Sequence, residues 1–79
     1  MSASSPVQGV SHGTPAALRE FIGENLDLAR IQAELGTTYA AIGDDAGLEY
    51  ALRRLVAYVR ASLSALNDLR DSKREEIRS

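Results

Sequence analysis

Few side chains in this sequence could do chemistry, and a pair of adjacent carboxylates is the first candidate. Asp44 and Asp45 are oxygen ligands of the kind that hard cations bind. A calcium loop needs more oxygen ligands at alternating positions, whereas Ala46 and Gly47 follow here. Aspartate is also a preferred residue at the start of a helix. We therefore expect Asp44 or Asp45 to cap a helix and not to bind a metal.

His12 is the only histidine, and Ser11 precedes it. A nucleophilic serine needs a base in fixed geometry and an acid that orients that base. No acidic residue adjoins this pair, and the surrounding segment is rich in Ser, Gly and Pro, which is typical of a flexible tail. The sequence predicts no catalytic residue, no metal and no cofactor, and hence a protein that is not an enzyme.

Arg53, Arg54 and Arg60 form the one basic cluster that suggests a binding site. Arginines on one helix face can contact phosphates, so one candidate function is a small regulator that binds nucleic acid. A formal net charge of -2 and the absence of a stacking aromatic among the three argue against it. Retention on DNA that falls with salt would support this alternative.

A chain of 79 residues has room for one small domain, and its composition is that of a globular protein, with 44% hydrophobic residues. Such domains often need disulfides, a metal or oligomerisation for stability. Since cysteine is absent, oligomerisation is the expected aid. No apolar run reaches the roughly 20 residues that cross a bilayer, and no secretory signal pattern opens the chain. We expect a cytoplasmic protein without a membrane partner.

The chain divides into a predicted flexible tail over residues 1–13, a helical domain over residues 14–72 and a frayed polar helix end over residues 73–79. Thr14-Pro15 is a favourable start for a short first helix. Gly23 to Asn25 predicts a break or kink after it.

A second helix is predicted from about Leu26 to Ile42, and a third, much longer helix from about Asp45 to Ile77. Gly43 between them favours a left-handed helix end, and so short a loop favours an antiparallel hairpin. Each predicted helix carries apolar residues at steps of three and four, which is typical of a face that packs against a neighbour. The two sets are Leu28, Ile31, Leu35, Tyr39 and Ile42, and Leu48, Leu52, Leu55, Val59, Leu66 and Leu69.

The predicted second helix covers about two-thirds of the stripe on the longer helix, at 1.5 Å per residue. Either the short first helix or a second chain must cover the remainder. The predicted fold is therefore all-α, a helical hairpin plus a short helix that pairs into a homodimeric helical bundle. The predicted function is a non-catalytic protein–protein interaction or assembly module, and its expected interface comprises Tyr58, Leu63, Leu66 and Leu69.

Overall fold

A computed structural model describes the backbone of residues 14–78 and the side chains of residues 14–74. Two helices account for nearly all of this part of the chain: α1 spans Pro15–Ile42 and α2 spans Asp45–Arg78. They pack against each other as an antiparallel hairpin, and residues 14–78 contain no strand. The all-α class and the hairpin are confirmed. Residues 1–13, for which a flexible tail is predicted, lie outside the described residues.

Helix α1 is one continuous helix, so the predicted break at Gly23 to Asn25 is wrong. At its start Thr14 Oγ1 accepts a hydrogen bond from the Ala17 N–H at 3.1 Å, and a proline follows in the first turn, as predicted. Within the expected break, Asn25 Nδ2 donates to the Phe21 carbonyl at 2.9 Å. A single exposed glycine costs a helix only about 1 kcal/mol. The predicted short first helix is thus the N-terminal third of α1.

The turn between the helices is built as its residue types predict. Gly43 adopts a left-handed conformation with φ 77°. Its N–H donates to the Ala40 carbonyl at 3.3 Å, and the Asp44 N–H donates to the Tyr39 carbonyl at 2.9 Å. This pair of bonds is the Schellman ending of a helix. Asp44 Oδ1 then accepts from the Gly47 N–H at 3.0 Å, so Asp44 caps α2.

The contact between the helices, which we call the seam, follows a seven-residue repeat on each helix. More than half of its side chains are small or polar, and the buried ones are Leu18 and Ala29 on α1 and Ala51, Ser62 and Ala65 on α2. The seam comprises Leu18, Ile22, Asn25, Ala29, Gln32, Gly36 and Tyr39 on α1, and Leu48, Ala51, Leu55, Tyr58, Ser62, Ala65, Leu69 and Ser72 on α2.

The apolar stripe predicted to bury α1 is therefore largely on its surface. Leu28, Ile31, Leu35 and Ile42 are exposed, and Tyr39 alone of that set is half-buried in the seam. Small residues allow two helix backbones to approach closely, and here the neighbouring repeat of small residues forms the contact. The larger side chains consequently flank the contact.

Two glycines show how closely the helices approach. A Cβ added at Gly36 would lie 3.6 Å from Ala51 Cβ, an ordinary contact distance. A Cβ added at Gly47 would lie 2.7 Å from Cδ1 of the Tyr39 ring, which is too close for two carbon atoms. The backbone of α2 at Gly47 thus packs directly on the face of Tyr39.

Candidate protein-binding faces

The two carboxylates at the hairpin turn have structural roles. Asp44 caps α2, and Asp45 is the acidic residue in its first turn, where it complements the positive end of the helix dipole. Over residues 14–78 no group of three or more His, Cys, Asp or Glu side chains is placed to hold a metal ion. Ser11 and His12, which were considered above as a nucleophile and its base, lie outside the described residues.

The arginine cluster divides between two sides of α2. The Arg53 guanidinium lies 2.7 Å from a Glu49 carboxylate oxygen, the ion pair that the i,i+4 spacing predicts. Arg60 lies two turns further along the same side, and both arginines line a shallow groove of about 600 Å³. Arg54 points elsewhere, so the three guanidinium groups do not form one patch.

Arg54 is held between two tyrosines. Its Nη2 donates to the Tyr58 hydroxyl at 2.6 Å, and its guanidinium carbon lies 5.6 Å and 5.5 Å from the ring centres of Tyr50 and Tyr58. The hydrogen bond to Tyr58 and, after it, the proximity of Tyr50 raise the pKa of Arg54 above its ordinary value. A cation over aromatic faces is a favourable arrangement, and here it links the exposed Tyr50 to the half-buried Tyr58 along α2.

The four residues of the expected interface occupy two different environments. Tyr58 and Leu69 are half-buried in the seam. Leu66 is half-buried beside it, while the Leu63 side chain is 55% exposed. Because α1 begins at Pro15, its first turns reach this end of α2. A groove of about 320 Å³ there is lined by Leu18 and Phe21 from α1 and by Ala61 and Ala65 from α2, among others.

An exposed row of large apolar side chains follows α1 beside the seam. We call it the α1 stripe; it consists of Phe21, Leu28, Ile31, Leu35 and Ile42. Its members are separated by seven, three, four and seven residues, so they share one side of the helix. Their exposed fractions run from 41% at Leu35 to 69% at Ile42. Large side chains aligned in this way mark a surface suited to binding protein.

Helix α2 carries a second such row. The α2 stripe consists of Leu52, Val56, Val59, Leu63 and Leu66, separated by four, three, four and three residues. Leu66 is half-buried and the other four are exposed. Leu52 and Val56 line the groove of about 600 Å³ together with Arg53 and Arg60. The predicted interface residues Leu63 and Leu66 belong to this stripe.

The two stripes lie on opposite faces of the hairpin. At 100° per residue, the α1 stripe precedes the α1 seam positions by about 100°, and the α2 stripe follows the α2 seam positions by about 100°. Antiparallel helices wind in opposite senses when seen from one end, so these opposite offsets lead to opposite faces. The placement of Phe21 agrees, because it adjoins Ala61, Ser64 and Asp68, which lie on the side of α2 away from its stripe.

Sequence reasoning found the α2 stripe in part and missed that the α1 stripe is a surface. The signal that could have distinguished the two patterns is side-chain size. Ala29 and Gly36 on α1 and Ala51, Ser62 and Ala65 on α2 keep the seven-residue spacing, and small residues at that spacing favour close helix contact.

The fold and its two stripes are the basis for any functional reasoning, since no family model, no curated protein sequence and no solved structure matches this chain. Within residues 14–78 neither helix is both long enough and apolar enough to span a membrane.

Proposed function

We propose that this chain is a small non-catalytic assembly module that binds protein through its exposed apolar helical faces, and that its first partner is a second copy of itself. Action in the cytoplasm belongs to the same proposal. Its support is the arrangement of side chains around the hairpin.

The observation that carries the proposal is the inverted distribution of large and small apolar residues. The buried hydrophobic residues are Leu18, Ala29, Ala51 and Ala65, and no large side chain among the described residues is fully buried. Most of the large apolar side chains that are exposed form the two stripes on the surface. A methylene group contributes about 0.8 kcal/mol on burial, so a seam whose buried residues are mostly alanines stabilises a hairpin weakly. Domains of this size commonly complete their core by association.

Self-association follows from the shape of the hairpin. Two helices form a single layer, and a layer with an apolar face is covered when another layer packs on it. Two hairpins that pair in this way make a four-helix bundle. A homodimer, the form that the sequence predicts, is the smallest assembly that covers one such face.

Sedimentation equilibrium over a hundredfold concentration range tests the proposal. We expect the mean mass to rise from the 8.5 kDa of one chain toward at least twice that value. Because only folded chains associate, the melting temperature should rise by roughly 3–6 °C for each tenfold increase in concentration.

The Ala33→Lys variant is the control, since Ala33 is exposed on α1 and lies outside the α1 stripe. It should associate as the wild type does. A folded wild-type protein that stays at the mass of one chain, with a melting temperature independent of concentration, would contradict the proposal.

A further inference from the structure

The position of the stripes restricts how two copies can meet. A partner that packs on one face of the hairpin reaches either the α1 stripe or the α2 stripe, because the stripes lie on opposite faces. Three pairings are possible: α1 stripe on α1 stripe, α2 stripe on α2 stripe, or α1 stripe on α2 stripe. The first two are symmetric and end at a dimer.

The charges that border the stripes differ in sign. Along the side of the α1 stripe away from the seam stand three exposed carboxylates, which we call the acidic rim: Glu20, Asp27 and Glu34. Glu24 lies in line with the stripe itself, between Phe21 and Leu28. Arg30 pairs with two of them, at 3.6 Å from Asp27 and 4.0 Å from Glu34, and leaves the rim acidic.

The corresponding side of the α2 stripe is bordered by three exposed arginines, the basic rim: Arg53, Arg60 and Arg74. Arg70 lies seven residues after Leu63 and so continues the line of the stripe itself. Glu49 at the beginning of this row pairs with Arg53 at 2.7 Å. Asp71 lies 3.8 Å from Arg74 at its end. Arg60, in the middle of the row, keeps the rim basic.

We propose that the α1 stripe of one copy packs on the α2 stripe of the next, with the acidic rim of the first against the basic rim of the second; this inference rests on the proposed self-association. Complementary charges around an apolar contact select the partner and its orientation. A symmetric pairing instead brings rims of like charge together when the paired helices run antiparallel, and holds the rims on opposite sides of the contact when the helices run parallel. Neither arrangement sets the acidic rim against the basic rim.

A contact of this kind is heterologous. Each copy uses one stripe for its neighbour and retains its other stripe, on the opposite face, for a third copy. Such an assembly either closes into a ring or continues as a filament. The contact therefore predicts assemblies larger than a dimer, although two copies already form one complete contact.

Two single substitutions test the pairing by blocking one stripe each. Ile31→Lys places a cation in the middle of the α1 stripe, where it would lie against the apolar α2 stripe of the next copy. Leu63→Glu places a carboxylate in the α2 stripe, where it would lie against the apolar α1 stripe. Both positions are exposed, at 44% and 55%, and lysine and glutamate are good helix formers, so both variants should fold.

We expect each blocked variant alone to remain at the mass of one chain. In an equal mixture, the intact α2 stripe of Ile31→Lys pairs with the intact α1 stripe of Leu63→Glu. The remaining stripe of each chain is blocked, so the complex stops at two chains and sediments at twice 8.5 kDa. Ala33→Lys makes the same charge change as Ile31→Lys at an exposed position outside the stripes and should assemble as the wild type does.

Other results separate the inference from the proposed function. If one blocked variant alone forms a dimer, the contact is symmetric, because the intact stripe of that variant pairs with itself. If the mixture stays at the mass of one chain while the wild type associates, the α1 stripe and the α2 stripe do not pair with each other. The inference is then overturned and self-association stands. If the folded wild type itself stays monomeric at the highest concentration, both are overturned.

Discussion

Three helical glycines of the hairpin meet different surroundings, and replacement of each by alanine should have a different effect on stability. A Cβ at Gly23 would have no atom within 4 Å other than its own local chain. At Gly36 it would touch Ala51 Cβ at 3.6 Å. At Gly47 it would lie between 2.7 and 2.9 Å from three atoms of the Tyr39 ring. An added methyl group would thus meet open space at Gly23, an ordinary contact at Gly36 and a steric clash at Gly47.

The magnitudes follow from two physical effects, helix propensity and packing. Alanine is favoured over glycine in a helix interior by about 1 kcal/mol, which is the whole effect expected for Gly23→Ala. Gly36 is buried, so its new methyl group adds up to about 0.8 kcal/mol from burial. Overpacking at Gly47 costs about 1–3 kcal/mol and outweighs the gain in propensity. The expected order of stability is Gly36→Ala, Gly23→Ala, wild type and then Gly47→Ala.

Urea denaturation followed by far-UV circular dichroism measures this series, with each variant made in the Ile31→Lys background to limit association. For a domain of this size, 1 kcal/mol corresponds to about 4–8 °C in melting temperature, so the steps are resolvable. Gly23→Ala is the internal control, because it reports helix propensity without a new contact.

Two results would refute this reasoning. A Gly36→Ala variant less stable than the wild type would mean that the helices require glycine at that crossing. A Gly47→Ala variant as stable as Gly23→Ala would mean that the Tyr39 ring can move aside without loss, and that the seam near the turn is loosely packed.

Three further substitutions test the turn and the polar part of the seam, each by the urea midpoint. Gly43→Ala should destabilise by about 1–2 kcal/mol, because a residue with a Cβ is strained at φ 77°; an unchanged midpoint would refute this. Asp44→Ala should cost about 0.5–2 kcal/mol and Asp44→Asn much less, and equal losses would show that charge and not capping matters. Gln32→Leu should stabilise by about 1 kcal/mol, since the buried Gln32 Oε1 has no hydrogen-bond partner among the described residues; a loss of stability would assign the amide a positive role.

The parts of the fold that depend on local chemistry could be predicted from the sequence. The turn needs a residue that tolerates a positive φ and a carboxylate three residues before an N–H, and Gly43 and Asp44 supply both. The Glu49–Arg53 pair likewise follows from spacing alone. In contrast, the break expected at Gly23 gave too much weight to one glycine, since the packing of the whole of α1 against α2 outweighs about 1 kcal/mol.

The choice of the buried face could not be settled by counting apolar residues. Helix α1 carries two overlapping seven-residue patterns, one with Leu28 and Leu35 and one with Ala29 and Gly36. Hydrophobicity favours the first, but the second permits a closer approach of the helices, and its partner positions on α2 are also small. Recognising it requires comparison of the two helices as a pair.

The division of the expected interface also depends on which face of each helix is buried. Leu63 and Leu66 belong to the α2 stripe, whereas Tyr58 and Leu69 face α1 in the seam. That the two stripes lie on opposite faces depends on which residues form the seam and on the antiparallel direction of the helices. The exposure of the α1 stripe therefore follows only from the identity of the seam residues.

The opposite placement of the stripes also bears on how strongly copies should associate. Full burial of a Val, Leu or Ile side chain contributes about 1.5–3 kcal/mol, and the stripe residues are already about half covered, so a five-residue stripe has roughly 5 kcal/mol left to gain. A contact between two stripes gains roughly 10 kcal/mol before the cost of association, about 4–15 kcal/mol. One contact is therefore weak, and a symmetric dimer would leave one stripe of every copy in water. A heterologous ring buries both stripes of each copy, so apolar burial and rim charge favour the same arrangement.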